Sequence, residues 1–409
     1  MHILIVTQYF WPEEFRINDV ALGLVERGHK VTVLTGKPNY PDGQFFRGYG
    51  FFARSREQFQ GVEILRVPLI PRGRTGGFQL ALNYLSFALF ASILAPFRCR
   101  ASYDVILVFE PSPITVGLPS RVLRVTTGTP VFFWVQDLWP ESLEATGAVR
   151  STWVLKLVDR LTRFIYRGCD RVLVQSRAFI EPTVHMGVAR DRIAYFPNSA
   201  ETLYQPCVLP EHAPERQAMP PGFRVLFAGN IGAAQDFETI LAAAELLKPQ
   251  THIHWIILGD GRLAHWVRDQ ITRRGLDACV HLLGRHPVES MPRWFAAADA
   301  LLVTLRREPI FALTIPTKIQ SYLACARPII AALDGEGARV VNEAGAGISA
   351  DPQSPSALAQ AVCALAALPS QERDAMGQAG RRYFEQHFER GRLLDQLEAW
   401  MLESCRFAS

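Results

Sequence analysis

The chain has 409 residues, of which 49% are hydrophobic and 20% charged, and a formal net charge of +4 at pH 7. This length and composition predict a globular protein of two domains and exclude a disordered or fibrous one. Its seven cysteines include no Cys-x-x-Cys pair, so we expect reduced thiols in a cytosolic setting, with no disulfide framework or zinc site. We also expect no signal peptide, because no basic segment precedes the first apolar run.

Apolar runs alternate with helical patterns in the first half of the chain. The runs predicted as strands are residues 2–8, 30–36, 62–67, 104–110, 130–136 and 171–176, and the predicted helices are 18–28, 75–97, 114–125 and 153–168. Continuous apolar strands that are each followed by a helix indicate a parallel sheet covered on both faces.

Positive charge is concentrated just before the uncharged helix. The arginines of this stretch are Arg47, Arg54, Arg56, Arg66, Arg72 and Arg74. The helix that follows, 75–97, is long enough to cross a bilayer. Its polar residues Gln79, Asn83 and Ser86 recur at helical spacing, which favours an interfacial or half-buried helix on an anionic membrane over a span. A core helix beside a solvated basic loop is the alternative, and no nucleic-acid-binding module is present.

The alternation stops and then resumes in the second half. Residues 201–222 are rich in proline and polar residues, which predicts a linker. The later strands are predicted at 223–230, 253–261, 280–285 and 300–305, and the helices at 237–248, 263–274, 288–297 and after 356.

These patterns predict an α/β protein with two Rossmann-like, doubly wound domains, 1–200 and 223–384. An amphipathic helix over about 385–409 could pack on either domain. Domains of this kind bind ligands at the carboxyl ends of their strands, and we expect the ligand in a cleft between them.

One helix in the second domain begins with Pro316, Thr317 and Lys318. A lysine in the first turn opposes the helix dipole unless an anion binds there. Free backbone N–H groups, a hydroxyl and an ammonium together indicate a phosphate site. An ordinary capped helix with a solvated lysine is the alternative.

A series of motifs resembles the retaining glycosyltransferases of family 4, which have the GT-B fold. The motifs are ERGHKVTVLTGKPNYPDG (26–43), VQDLWPES (135–142), FPNS (196–199), FAGNIGAAQDFETILAAAELL (227–247), ILGDG (257–261), LLGR (282–285), IPTK (315–318) and ALDGEGARVV (332–341). The chain looks most like the members that build bacterial O-antigen and exopolysaccharide.

The resemblance implies a sugar transferred from a nucleotide-sugar, by expectation a UDP-sugar, to a polyprenyl-diphosphate-linked saccharide. It also implies that no metal is needed, and that the enzyme is cytoplasmic and peripheral on the inner face of the plasma membrane.

Transfer requires stabilisation of negative charge on the departing diphosphate. The loop Gly229, Asn230, Ile231 and Gly232 follows a strand, where glycines let backbone N–H groups approach an anion. Relatives commonly carry an Arg and a Lys where this chain has Asn230 and Gln235. Lys318, with Thr317, therefore becomes the main candidate for holding the diphosphate.

Other donor contacts follow from the resemblance alone. The family's glutamate pair would fall at Leu313 and Ser321, so ribose recognition passes to Ser321 or to another residue. The remaining candidate donor-binding residues are Gly259, Gly284, Arg285, Asp334 and Glu336.

Acceptor chemistry is expected in the first domain. Asp137 and Gln136 follow a buried strand, and many relatives have a His at the position of Gln136. Because glutamine cannot act as a base, Asp137 is the candidate for activating the acceptor or stabilising an oxocarbenium-like sugar. A carboxylate that caps the turn before Pro140 is the alternative. Arg16 is a further candidate for contacting the diphosphate.

Metal binding is not indicated. Asp334 and Glu336 form a pair without a third ligand, and His252 and His254 lack partners at ligand spacing. A nucleotide-sugar 2-epimerase and a non-catalytic, scaffold-like relative remain alternatives. A nicotinamide dehydrogenase is disfavoured, because the region after the first strand has no glycine between Gln8 and Asn18.

Overall fold

The computed structural model of the protein describes residues 1–73, 77–145, 149 and 151–408. These residues form two compact units. The N-terminal unit comprises Met1–Pro197 and the segment from Leu393 onward, and the C-terminal unit comprises Asn198–Arg392.

The N-terminal unit is built on an eight-stranded sheet in the order β3-β4-β2-β1-β5-β6-β7-β8. All neighbouring strands are parallel except β3 and β4, which form an antiparallel pair at one edge. The strands are β1 (His2–Val6), β2 (Lys30–Thr35), β3 (Arg56–Phe59), β4 (Val62–Arg66), β5 (Val105–Glu110), β6 (Val131–Val135), β7 (Arg171–Val174) and β8 (Ile193–Tyr195). The sequence patterns did not predict β3 or β8, because β3 is mostly polar and β8 has only three residues.

Helices connect these strands, as expected for parallel strands that need crossovers. They are α1 (Arg16–Glu26), α2 (Gly77–Arg98), α3 (Gly117–Thr127), α4 (Glu141–Ala145), α5 (Thr152–Tyr166) and α6 (Ile180–His185). Residues 75 and 76 of the predicted apolar helix lie outside the described residues.

Helix α2 turns polar side chains inward and apolar ones outward, whereas an ordinary surface helix does the reverse. Its polar residues Asn83 and Ser86 are buried. The Asn83 side chain donates to the Ile70 carbonyl at 2.6 Å and accepts from the Gln8 amide at 2.7 Å, and Ser86 Oγ accepts from the Ile70 amide at 2.9 Å. Asn83 and Ser86 therefore anchor the helix to the unit, whereas Gln79, the first residue of the predicted polar stripe, is exposed. The helix leaves an apolar face outward.

The arginine-rich segment is only partly at the surface. Arg66 is fully buried, where it donates to the carbonyls of Gly36 and Trp11 and pairs with Glu57. This guanidinium is thus a structural element of the unit. Arg74, the last arginine of the segment, lies outside the described residues.

The C-terminal unit contains a six-stranded, fully parallel sheet in the order β11-β10-β9-β12-β13-β14. Its strands are β9 (Phe223–Ala228), β10 (Ile253–Leu258), β11 (Val280–Gly284), β12 (Ala300–Thr304), β13 (Ile329–Ala332) and β14 (Gly347–Ala350). Its helices are α7 (Pro214–Gln217), α8 (Phe237–Leu246), α9 (Ala264–Arg273), α10 (Met291–Ala297), α11 (Pro309–Ala312), α12 (Thr317–Ala324), α13 (Gly335–Glu343), α14 (Pro355–Ala367) and α15 (Ser370–His387).

The segment 201–222, which the composition predicts as a linker, is part of this unit's core. Leu209, Ala213 and Met219 are buried against the apolar side chains of the C-terminal unit. Its prolines interrupt regular structure, yet enough apolar side chains remain to fix the segment on the unit.

The last helix, α16 (Arg390–Ala408), returns to the N-terminal unit. Leu394, Leu397 and Met401 are buried in the same apolar cluster as the central strands of that unit. Arg27 pairs with Asp395 at 2.6 Å on the same interface. Helix α16, predicted from the amphipathic pattern, thus completes the core of the N-terminal unit.

Candidate functional site

Gly229, Gly259 and Gly284 lie at the ends of the adjacent strands β9, β10 and β11 of the C-terminal unit. The first two line a cavity of about 270 Å³. Gly229 and Gly259 have φ angles of +139° and +138°, which residues other than glycine rarely adopt. A Cβ on Gly259 would lie 1.8 Å from the Gly229 carbonyl oxygen. The Gly259 amide donates to the Gly284 carbonyl at 2.7 Å. These close approaches leave backbone, without side chains, lining the strand ends.

Polar and charged groups complete the wall of this cavity. They are contributed by Asn230, Asp260, Arg285 and His286. Arg285 and the exposed Gly284 also line a second cavity of about 420 Å³, next to Ile231 and Arg268. The sequence-predicted residues Gly229, Asn230, Gly259 and Arg285 are therefore together at one edge of the sheet.

Lys318, in the first turn of α12, lies directly above Gly229. A Cβ on Gly229 would stand 2.7 Å from Lys318 Cε and 2.9 Å from Nζ. The ammonium lies 3.6 Å from the centroid of the Phe227 ring, a cation–π distance. Glycine at position 229 is thus required both by its backbone conformation and by the space that the lysine fills.

The ammonium of Lys318 has no matching carboxylate. Among the described residues no acidic side chain forms an ion pair with it, and burial lowers its pKa to about 7. Lys318 as a whole is half-buried. Because a cation that loses water without gaining a partner destabilises a protein, such groups commonly mark a ligand site. An anion bound at the start of α12 would supply the missing charge.

The glycine loop is otherwise neutral. The Asn230 side-chain amide donates to Gln235 Oε1 at 3.5 Å, so the residues at the two positions where relatives carry charges contact each other. The Gln235 carbonyl in turn accepts from the Thr304 hydroxyl. The loop keeps its shape through amide and hydroxyl contacts, and Lys318 is left as the cation nearest Gly229.

Thr317 and Ser321 differ in exposure. Thr317 is exposed at the start of α12, whereas Ser321 is buried and its hydroxyl donates to the Thr317 carbonyl at 3.3 Å. Ser321 can still accept a hydrogen bond from a ligand, because a hydroxyl has two lone pairs.

Asp334 and Glu336, at the start of α13, already hold cationic partners. Asp334 accepts from Arg307 at 3.0 Å, and Glu336 forms a two-point pair with Arg339 at 2.8 and 2.9 Å. The described residues contain no cluster of three or more His, Cys, Asp or Glu side chains suited to a metal ion. His254 contacts His281 of β11 at 3.3 Å, and burial lowers the pKa of both imidazoles.

In the N-terminal unit, Asp137 follows β6 and accepts a hydrogen bond from the Ser142 hydroxyl. Burial raises the pKa of Asp137 above its ordinary value, and its contact with Ser142 opposes this rise. The backbone N–H of Gln136 donates to the backbone carbonyl of Glu110 at 3.1 Å, and the backbone carbonyl of Gln136 accepts from the Gln175 side chain at 3.1 Å. This arrangement fixes the backbone at the end of β6.

Glu110, which the sequence analysis treated only as the end of a strand, is a neighbour of Asp137. It is fully buried as the last residue of β5, and neither carboxyl oxygen has a hydrogen-bond partner among the described residues. Burial first, and the charge of Asp137 second, raise the pKa of Glu110 well above its ordinary value, and the nearby backbone N–H groups of Asp137 and Gln136 oppose this rise. The sequence did contain a signal for this residue, because Glu110 is a charged residue at the end of an otherwise apolar strand.

Aromatic side chains gather at the carboxyl end of β1, next to Arg16. Phe15 stacks on Tyr9 with ring centroids 5.0 Å apart, and both rings contact Tyr40. The Arg72 guanidinium lies over the Tyr40 ring at 4.9 Å. Arg16 begins α1 directly after this cluster.

The two units match two protein families. Residues 14–199 match the family described as "Glycosyl transferase 4-like domain", and residues 222–367 match "Glycosyl transferases group 1". The chain belongs to glycosyltransferase family 4. The resemblance inferred from the motifs is thereby confirmed.

Curated relatives of this glycosyltransferase span most of its length. It is 28% identical over 335 residues to the protein named "Probable glycosyltransferase WbjE" in Pseudomonas aeruginosa, covering 80% of each chain. It is 24% identical to WcaI of Escherichia coli K12, described as a colanic acid biosynthesis glycosyl transferase, covering 79% of this chain and 81% of WcaI.

Solved structures show the same GT-B fold. HepE of Anabaena, solved in complex with UDP, matches with a TM-score of 0.69 at 16% identity and covers 99% of this chain and 100% of its own. A trehalose 6-phosphate synthase from Burkholderia multivorans matches with a TM-score of 0.74 at 14% identity, with 100% of both chains covered. The predicted fold class is therefore confirmed.

Proposed function

We propose that this glycosyltransferase transfers a sugar from a UDP-sugar, with retention at the anomeric carbon, to a saccharide linked to polyprenyl diphosphate. The proposal places the reaction in bacterial surface polysaccharide assembly, at the cytoplasmic face of the plasma membrane. The name of WcaI, a colanic acid biosynthesis glycosyl transferase, supports a role in polysaccharide assembly, and the titles of the HepE complexes with UDP and UDP-glucose support the donor class.

The observation that carries the proposal is the unmatched ammonium of Lys318 over Gly229. A nucleoside diphosphate would place anionic oxygens beside this ammonium and the free N–H groups that begin α12. The same groups would stabilise the charge that develops on the departing diphosphate. In this proposal no metal ion is required.

The remaining predicted donor residues have assigned roles in this proposal. Gly284 and Arg285 contact the base, and Ser321 accepts a hydrogen bond from the ribose. Asp334 and Glu336 hold their arginines near the donor sugar, and Arg16 contacts the diphosphate.

The reaction exchanges one C–O bond for another. The bond from the anomeric carbon to the leaving phosphate oxygen breaks, and an acceptor hydroxyl oxygen bonds to the same face of that carbon. The hydroxyl proton passes to the departing phosphate. Asp137 stabilises the positive charge on the sugar, and the buried Glu110 stays protonated beside it.

A thermal-shift panel with UDP, GDP, CDP and ADP, with and without EDTA, tests the donor site. UDP at 100 times its dissociation constant should stabilise the protein by about 2.7 kcal/mol. We expect a shift with UDP that EDTA does not change, that is lost in Lys318→Ala, and that is retained in Lys248→Ala, an exposed lysine of the same unit.

Each other outcome would count against part of the proposal. A UDP shift retained in Lys318→Ala would remove the lysine from the donor site, and a shift abolished by EDTA would contradict metal independence. The neutral Asn230–Gln235 pair favours one alternative, a non-catalytic relative. Absence of a shift with any nucleotide would support it.

A further inference from the structure

The outward face of α2 is apolar along its length. Leu85, Leu89, Ile93 and Phe97 are 57%, 57%, 54% and 64% exposed and recur every four residues, which places them in one stripe. A surface helix of a soluble protein ordinarily turns such a stripe inward. Among the described residues, α2 is also the only helix long and apolar enough to cross a membrane.

Rotation of α2 cannot bury this stripe at low cost. The opposite face carries Asn83 and Ser86, whose side chains bond to Gln8 and to the backbone of Ile70. Turning the helix would break these buried and part-buried hydrogen bonds and leave their partners unsatisfied. The apolar stripe is therefore a fixed surface of the folded unit.

The stripe continues into a groove between α2, α3 and α5. This groove has a volume of about 660 Å³, and its walls include Leu85, Leu89, Leu118, Val122 and Phe164.

Helix α5 extends the surface beyond the groove. Trp153, Leu157 and Phe164 are 69%, 50% and 49% exposed. We call the exposed apolar residues of α2 and α5, together with the groove, the α2–α3–α5 face. Exposed apolar surface of this extent marks an interaction site.

Basic side chains outnumber acidic ones in the three helices of this face. Lys156 and Arg160 are exposed on the same side of α5 as Trp153 and Leu157. In the three helices, all of which the structure describes, the only carboxylate is that of Asp159, and it is paired with Arg163 at 2.9 Å. Arg121 lies 4.9 Å from the centroid of the Phe164 ring at the edge of the groove.

We propose that the α2–α3–α5 face docks on an anionic lipid bilayer, with α2 lying along the membrane surface and its apolar stripe inserted among the acyl chains. Apolar side chains flanked by basic ones suit the boundary between headgroups and acyl chains. A second copy of the chain fits less well, because a twofold contact would bring the same basic groups against each other. The inference rests on the proposed function only for its choice of a membrane, where a lipid-linked acceptor resides.

Co-sedimentation of the full chain with vesicles tests the proposal. The probes are vesicles of phosphatidylcholine alone and vesicles of equal parts phosphatidylcholine and phosphatidylglycerol. We expect binding to the anionic vesicles, weakened by high salt, and at least about tenfold weaker in Leu85→Asp/Leu89→Asp and in Lys156→Glu/Arg160→Glu.

Matched controls lie in the C-terminal unit. Val208→Asp/Leu246→Asp replaces two exposed apolar residues, and Arg382→Glu reverses an exposed charge. We expect wild-type vesicle binding in both. Because the changed side chains are exposed, we also expect the UDP-induced thermal shift to be unchanged in every variant.

Several outcomes would overturn the proposal. The first is equal binding to both kinds of vesicle, and the second is a loss of vesicle binding in the control variants equal to that in the test variants. The third is absence of vesicle binding together with self-association that Leu85→Asp/Leu89→Asp abolishes. The UDP shift separates the two claims. Vesicle binding without a UDP shift would support the docking surface and refute the donor site. A UDP shift without vesicle binding would support the donor site and refute the docking surface.

Discussion

At the scale of single residues, the environment of Lys318 favours an anionic ligand. Its ammonium packs over Gly229 and the Phe227 ring, and burial lowers its pKa to about 7. A lysine in the unfolded chain has a pKa of about 10.4. Between these two values the unfolded state binds more protons than the folded state, so this residue's contribution to the free energy of unfolding rises with pH.

The affinity for UDP should depend on pH through the same group. Phosphate groups are largely ionised above about pH 6, whereas Lys318 loses its proton above about pH 7 in the free protein. We therefore expect the affinity for UDP to fall between about pH 7 and 9, by up to about tenfold per unit. Calorimetric titration over this range measures the slope.

Lys318→Arg supplies the control for this prediction, because a guanidinium stays charged throughout the range. The variant should bind UDP with little change in affinity over the same pH range. An identical slope in the wild type and in Lys318→Arg would show that another group causes the dependence.

Glu110 provides a second prediction at this scale. Its pKa in the folded protein is well above the ordinary value, so the folded state retains a proton that the unfolded state has lost above about pH 4.3. The free energy of unfolding that this residue contributes therefore falls as the pH rises above that value. Glu110→Gln, which is neutral at every pH, should be more stable than the wild type at pH 7 to 8.

Thermal unfolding of both proteins across pH 4 to 8 measures this difference, which should be smallest at pH 4. A stability difference that does not change with pH would contradict a protonated Glu110. Glu63→Gln is a suitable control, because Glu63 is half-buried and ion-paired with Arg56.

Residue patterns in the sequence singled out some residues of the candidate site and passed over others for physical reasons. Glycines at strand ends and a lysine at a helix start are local signals, so Gly229, Gly259 and Lys318 were recognisable. Glu110 was missed because its significance comes from burial beside Asp137, which depends on the pairing of β5 with β6. The pairing of Glu336 with Arg339 likewise became visible only with the helix in place.

At the scale of elements, α2 shows what a pattern alone leaves open. The spacing of Asn83 and Ser86 predicted a helix with a polar stripe, but the same spacing fits a stripe toward water or toward buried partners. The structure places both residues inside, bonded to Gln8 and Ile70. The outward face is therefore the apolar one.

Asn83→Ala should destabilise the protein by about 1 to 3 kcal/mol, because the buried Gln8 amide and Ile70 carbonyl lose a partner. Leu85→Ala, two residues along the helix and mostly exposed, should change stability by no more than about 0.5 kcal/mol. Urea unfolding measures both. A larger loss in Leu85→Ala than in Asn83→Ala would mean that the helix presents its other face outward.

At the scale of the whole molecule, the alternation of strands and helices was sufficient to predict two parallel α/β sheets. Composition was a poorer guide to the segment 201–222, since prolines there coexist with the buried Leu209 and Met219. The placement of α16 on the N-terminal unit depends on Leu397 and Met401 meeting a core formed almost 400 residues earlier. Sequence periodicity gives such a helix an apolar face without specifying its partner.

The central claim is that the chain transfers a sugar from a UDP-sugar to a lipid-linked acceptor. The most direct measurement is UDP release from a panel of UDP-sugars, with and without a bacterial lipid extract that contains polyprenyl-diphosphate-linked saccharides. We predict release from one or a few UDP-sugars that requires the extract, deposits the sugar in the lipid fraction and is lost in Lys318→Ala. Sugar epimerisation or UDP release that is independent of the extract, or no reaction with any UDP-sugar, would contradict the claim.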